Sequence, residues 1–262
     1  MTKTDATPEN EDRKLELSIA IDAERDAVWQ AISNAEGLKN WFPLDARLEP
    51  GEGGSVWLSW GPGCEGEAPL TIWEEGERLG WEEDHGGGAR VLLEFRLDTE
   101  KGKSVVRLVQ SGFSAGDRDE NYWDDYFDAT GSGWRYFLWN LSHYLERHPG
   151  KERQMVWTRG KVGLGRQELW SRLTEGDGLA VSGTVEKGGA FRLWTGDQGT
   201  FRDITEGVHL SARVADLDDA LLLVEVEPGD EPTLGVWLST YGLGDERVAQ
   251  LQASLEAAVA RL

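Results

Sequence analysis

"RDAVWQAISNAEGLKNWF", Arg25 to Phe42, sets a tryptophan near each end of a segment broken by "NAEG". Ala27, Val28 and Ile32 recur at helical spacing, and Asp22 stands upstream as the expected N-cap. Asn34 to Gly37 should end that helix, and "LKNWF" should make a second short turn before Pro43. Upstream, "KLELSIAI" (Lys14 to Ile21) puts Leu15, Leu17, Ile19 and Ile21 on one face, the pattern of a half-buried strand. Downstream, "GEGG", "GPG", "EEGE", "DHGGG" and "TEKGK" punctuate six short apolar runs, which predicts an antiparallel sheet joined by hairpins. A long helix closes this half: Tyr122, Tyr126, Thr130, Trp134, Leu138, Leu141 and Leu145 form one stripe. Gly131 and Gly133 interrupt its interior, where each costs about 1 kcal/mol relative to Ala. Close approach of the helix to the sheet would explain them, and a local break in the helix is the alternative.

After "HPGKER" the same order returns. Trp170 answers Trp29, "GAFRLWTG" answers "GSVWLSWG", and "VWLSTYGLG" answers "VRLVQSGFS". A last helix carries Val248, Leu251, Leu255, Val259 and Leu262. The second half therefore reads as a shortened copy of the first. The expected boundaries are a disordered tail over 1–13, a domain over 14–147, a linker over 148–154 and a divergent domain over 155–262. In the copy, Ser182 and Gly183 stand where the first half has Trp41 and Phe42.

"AVWQAISNAEGLKNWF", the "GG" before "SVWLSW", "GERLGWEE", "SVVRLVQSGF" and "GWRYFLWNLSHYLE" resemble the activator of Hsp-90 ATPase homologue-like group of the SRPBCC (START-like) superfamily. The resemblance implies an α+β helix-grip fold, a curved antiparallel sheet wrapped on a long C-terminal helix, here in two tandem domains. It also implies a deep cavity between sheet and helix. Members include lipid carriers, polyketide cyclases and co-chaperones, so the fold alone does not name a function.

The chain has 262 residues and a formal net charge of −21, which argues against nucleic acid, since phosphate binding needs clustered Lys and Arg. No apolar run reaches the length of a membrane span, so no membrane insertion is expected. The N-terminus "MTKTDATPENEDRK" lacks an apolar core, which leaves the cytoplasm as the expected compartment. A single cysteine, Cys64, excludes an internal disulfide.

Alternation along the strands puts Trp60, Trp81, Glu83, Phe95 and Gln110 inside the first domain, with Trp134 and Leu138 facing them from the helix and Trp41 near the mouth. These eight are the candidate ligand-binding residues. Aromatic faces would carry the affinity and the two polar groups would orient the ligand. Trp29 and Trp73 read as core, and Glu94 and Arg96 as solvent-facing. Four histidines show no metal-ligand spacing, and neither a nucleophile elbow nor a phosphate loop is present. No catalytic residue, metal or cofactor is expected. Three functions stay open: a non-enzymatic carrier or sensor for an apolar or aromatic small molecule, a protein-interaction module, and a cyclase or hydrolase using Glu83 and water.

Overall fold

The computed structural model describes residues 13–113, 120–175, 178–181, 185–227 and 231–262. The expected tail lies outside the described residues except for Arg13, and so do Ser182 and Gly183. The chain divides into two compact units, Met1–Gly150 and Lys151–Leu262. No helix among the described residues is long and apolar enough to cross a membrane.

The first unit runs β1 (Lys14–Ile21), α1 (Arg25–Ser33), α2 (Ala35–Lys39), β2 (Asp45–Leu48), β3 (Ser55–Ser59), β4 (Glu65–Glu74), β5 (Arg78–Gly86), β6 (Ala89–Glu100), β7 (Lys103–Ser111) and α3 (Glu120–Arg147). Its sheet is antiparallel in the order β1-β7-β6-β5-β4-β3-β2. The two short helices carry the chain from β1 to the far edge, and hairpins bring it back until β7 closes on β1. Between β5 and β6 only Gly87 and Gly88 turn the chain, both at positive φ (61° and 81°), as a tight hairpin requires.

The α1–α2 corner differs from its expectation in detail. Helix α1 starts at Arg25 with Glu24, not Asp22, at the N-cap, and no side chain caps it. The break between the helices is Asn34 alone. Its Oδ1 accepts the backbone N–H of Gly37 at 2.7 Å and so starts α2 at once. The glycine has a steric reason, because a Cβ there would lie 2.1 Å from the Gln30 carbonyl oxygen. "NAEG" is thus a tight elbow between two helices.

Alternation holds through the core. Leu79 and Trp81 of β5, Val91, Leu93, Phe95 and Leu97 of β6, and Val106, Leu108 and Gln110 of β7 are all buried. Helix α3 lies along β1 and sends Trp134, Leu138, Leu141 and Leu145 into the same core. Each such side chain stabilises the fold by about 1.5–3 kcal/mol. Close approach does not explain the α3 glycines: a Cβ on Gly131 or Gly133 would meet its nearest neighbour at 3.6 or 3.9 Å, ordinary contact distances. Trp29 and Trp73 pack edge to face, with ring centroids 5.6 Å apart.

One outward residue departs from the expected pattern. Glu94 is buried on the sheet's outer face, where Arg78 donates to it at 2.7 Å and Arg96 donates twice, at 2.9 and 2.8 Å. Burial alone would raise its pKa. The hydrogen bonds from Arg96 and Arg78 outweigh that and hold the carboxyl below its ordinary value.

The second unit repeats the order: β8 (Arg153–Lys161), α4 (Arg166–Thr174), β9 (Ala180–Val181), β10 (Ala190–Leu193), β11 (Gln198–Thr205), β12 (His209–Val214), β13 (Ala220–Glu227), β14 (Thr233–Tyr241) and α5 (Asp245–Val259). Its sheet order, β8-β14-β13-β12-β11-β10-β9, is that of the first unit strand for strand. Two differences matter. Among the described residues one helix, α4, stands where the first unit has two, and α5 has 15 residues against 28 in α3. Helix α5 lies against β8, and its Gln252 bonds both backbone groups of Trp157 (3.0 Å each), capping the edge strand.

Candidate functional site

The sheet of the first unit opens into a cavity of about 400 Å3 on its β3–β4–β5 side. Val56 and Leu58 of β3, Gly66 and Ala68 of β4, and Trp81 of β5 form its floor. Trp60 and Cys64 belong to the β3–β4 turn, which is closed by hydrogen bonds from Trp60 N to Cys64 O and from Cys64 N to Gly61 O (3.0 Å each). Three of the eight predicted residues, Trp60, Trp81 and Glu83, line this space.

The other five lie behind it as a packed plug. Trp41 is fully buried, not at a mouth, and its indole N–H donates to the Ala31 carbonyl at 2.9 Å. Its backbone oxygen in turn accepts from Asn140 at 2.8 Å. Trp134 donates to Gln110 Oε1 at 2.8 Å, so each meets the polar need of the other inside the core. Phe95 meets Trp81, Trp134 and Trp41 at centroid distances of 5.8, 5.7 and 6.1 Å, and Leu138 is buried on α3.

Phe42 ties these rings together. It lies 4.8 Å from Trp134, 4.9 Å from Phe137, and 5.2 Å from both Trp41 and Trp60. Aromatic pairs at such spacings add about 0.5–1.5 kcal/mol each beyond area burial. Among the described residues, these rings fill the space between Trp134 and the sheet, and the cavity opens in front of Trp60 and Trp81.

Polar groups reach the cavity from the end of β5 and, at its rim, from Glu65 and Glu67 of β4. Trp81, Glu83 and His85 all line the cavity, His85 at an irregularity in the β5–β6 register between Asp84 and Gly86. The Trp81 indole donates to Glu83 Oε1 at 3.1 Å, which fixes the carboxylate. Glu83 Oε2 lies 3.5 Å from His85 Nε2, and the same nitrogen lies 3.4 Å from the hydroxyl of Tyr126 on α3. These are distances at the outer limit of hydrogen bonding. The His85 ring also packs on Tyr126 and Trp123, at 4.8 and 5.8 Å. A carboxylate, an imidazole and a phenol thus stand in a row, the first two on the cavity wall. His85 was legible in part: carrying the β5 alternation two residues past Glu83 places it on the inner face, although "DHGGG" reads as a turn. Tyr126 belongs to the predicted helix stripe, but nothing in that stripe tells which strand end it meets.

Among the described residues, no three His, Cys, Asp or Glu side chains converge as metal ligands.

Residues 22–146 match the model of a family described as Activator of Hsp90 ATPase homolog 1-like protein. No curated protein matches the chain. Among solved structures, it is similar to the Aha1 dimer from Colwellia psychrerythraea, at 20% identity over 53% of this chain and 99% of that one (TM-score 0.45). It is also similar to DynU16 from the dynemicin biosynthetic locus, at 19% identity over 95% and 96% (TM-score 0.43). A third is BexL, the di-domain ARO/CYC of the BE-7585A biosynthetic pathway, at 12% identity over 95% and 94% (TM-score 0.45).

Proposed function

We propose that this protein is a non-enzymatic carrier or sensor for an apolar or aromatic small molecule, and that its first unit, whose residues 22–146 match the Activator of Hsp90 ATPase homolog 1-like model, is a member of that group within the SRPBCC superfamily. The observation that carries this reading is the cavity: about 400 Å3, walled by Trp60, Trp81, Leu58 and Val56, with Glu83 and His85 as its polar end. Its volume is in the range of small-molecule sites, and such sites pair apolar walls with a few orienting groups.

The second unit takes a structural part in this proposal. Its Phe191 on β10 lies flat over Gly199 of the neighbouring β11, where a Cβ would be 2.3 Å from the ring, and stacks on Phe201 at 4.6 Å. The equivalent strand pair of the first unit has Leu58 opposite Gly66, on the cavity floor. One ligand per chain is the consequence. Native mass spectrometry of protein purified without denaturant, followed by calorimetric titration, tests it. A bound molecule at one per chain, weakened by Trp60→Ala, is expected. Two equivalent sites, or binding indifferent to Trp60, would refute it.

One observation favours a second reading. The Glu83–His85–Tyr126 row is also how a general base is held, Glu83 taking a proton from water and His85 positioning it. Turnover of a bound ligand that Glu83→Gln abolishes, with affinity kept, would move the protein into that class.

A further inference from the structure

We propose that the cavity takes an aromatic or apolar amine, bound as its ammonium ion; this rests on the binding reading above and adds the charge of the ligand. Four carboxylate residues line the cavity, Glu65, Glu67, Glu83 and Asp84, with His85 as the one basic side chain. Among the described lining residues there is no Lys or Arg.

Strand alternation sorts these groups. Glu83 faces inward with Trp81. Glu65 and Glu67 alternate with the floor residues Gly66 and Ala68, so they stand at the rim and act on the cavity through their field. Asp84 also borders the cavity, and Arg90 lies 3.4 Å from it and 3.4 Å from Glu82. The Arg90 guanidinium is therefore engaged by these two carboxylates. Rim charges lie well within a Debye length of about 8 Å at physiological salt, so a ligand entering here feels them.

Inside, the chemistry points the same way. The Trp81 N–H is already given to Glu83 Oε1, which leaves both carboxylate oxygens with lone pairs to accept from a ligand. The indole faces of Trp60 and Trp81 attract a cation through their ring quadrupoles. Among the described lining residues an anion would find one basic side chain, His85, and that ring lies 3.5 Å from Glu83, which competes for it. The expected order is cation, then neutral ring, then anion.

Three ring-matched probes decide it by calorimetry: tryptamine, skatole and indolepropionate. Tryptamine should bind about tenfold tighter than skatole, the scale of one charge-assisted hydrogen bond, and indolepropionate weakest. Glu83→Gln should cost tryptamine about tenfold and skatole less than about twofold, since the amide still accepts from Trp81. Cys64, the single cysteine, sits on the cavity wall, so bound tryptamine should slow its alkylation. Skatole binding as tightly as tryptamine, or indolepropionate binding tightest, overturns the charge preference and leaves the binding reading standing. Silence from all three probes overturns both. Tryptamine bound equally by Glu83→Gln, with Cys64 unprotected, assigns it to the acidic surface at large and overturns the inference.

Discussion

Phe42→Ala measures whether the aromatic plug is packed protein or an extension of the cavity. Phe42 is 5% exposed and lies within about 5 Å of four other rings. Losing the ring forfeits about 2–3 kcal/mol of transfer free energy. A residual hole of about 80 Å3, at about 24 cal/mol per Å3, adds ~2 kcal/mol. Four flanking rings that cannot collapse onto one another keep that hole open, so a loss of about 4–5 kcal/mol is expected. On a unit of this size that lowers its melting temperature by roughly 8–20 °C. The assay is denaturant unfolding followed by tryptophan fluorescence. The two units are expected to unfold in separate transitions, and only the first should move. The new hole lies behind Trp60, so the cavity should also deepen and accept a larger ring. A loss below about 1 kcal/mol would show that these rings stand loosely around empty space, and the plug would be the wrong description.

Glu94→Ala should cost about 1–3 kcal/mol, the scale of hydrogen bonds to a charged group, because Arg78 and Arg96 stay partly hydrated without it. The Glu94 pKa is lowered from 4.5 on folding, so its stabilisation is complete above pH 4.5 and is lost as pH falls through the lower folded value; the variant should show a shallower acid transition in urea. Glu225 behaves oppositely: desolvation, with Glu227 adding, pushes it up to about 7 against the opposing Trp237 and Arg159, so the fold loses stability as pH rises from about 4.5 to 7. Glu225→Gln should therefore stabilise the second unit by about 1–2 kcal/mol above pH 7, with the gap closing toward pH 5; a gap independent of pH would refute this. Gly37→Ala should destabilise by at least ~2 kcal/mol, where an unstrained helix site would gain about 1 kcal/mol, because the Gln30 carbonyl blocks the added methyl. A more stable variant would show that the α1–α2 elbow is looser than drawn.

The fold was legible because it depends on period, which a single chain carries along itself. Leu15 to Ile21, Val91 to Leu97 and Val106 to Gln110 alternate, the Trp134 stripe repeats at helical steps, and hairpin glycines fix the strand order between them. What period cannot carry is the relation between two faces. Glu94 sits on an outward position and is nonetheless buried, because Arg78 and Arg96 reach it from β5 and from two residues along β6. Alternation reports the face a side chain leaves from, not what lies down over it.

The same limit governed the site. Trp41, Phe95, Gln110, Trp134 and Leu138 all face inward as the pattern implies, yet inward is also where Phe42 lies. Phe42 follows the last turn of α2, and its direction depends on how tightly α2 folds back on α1. The Gly37 elbow sets that angle, and it brings one ring into reach of Trp41, Trp60, Trp134 and Phe137 together. With the ring there, the described space between α2, Trp134 and Trp60 is taken by side chains, and the cavity opens past Trp60, where Gly66 and Ala68 present little side chain. In the second unit Phe191 lies over Gly199, and Phe201 stacks on it. Among the described residues, the Phe191 ring on β10 thus covers the place that Leu58 and Gly66 leave as cavity floor in the first unit.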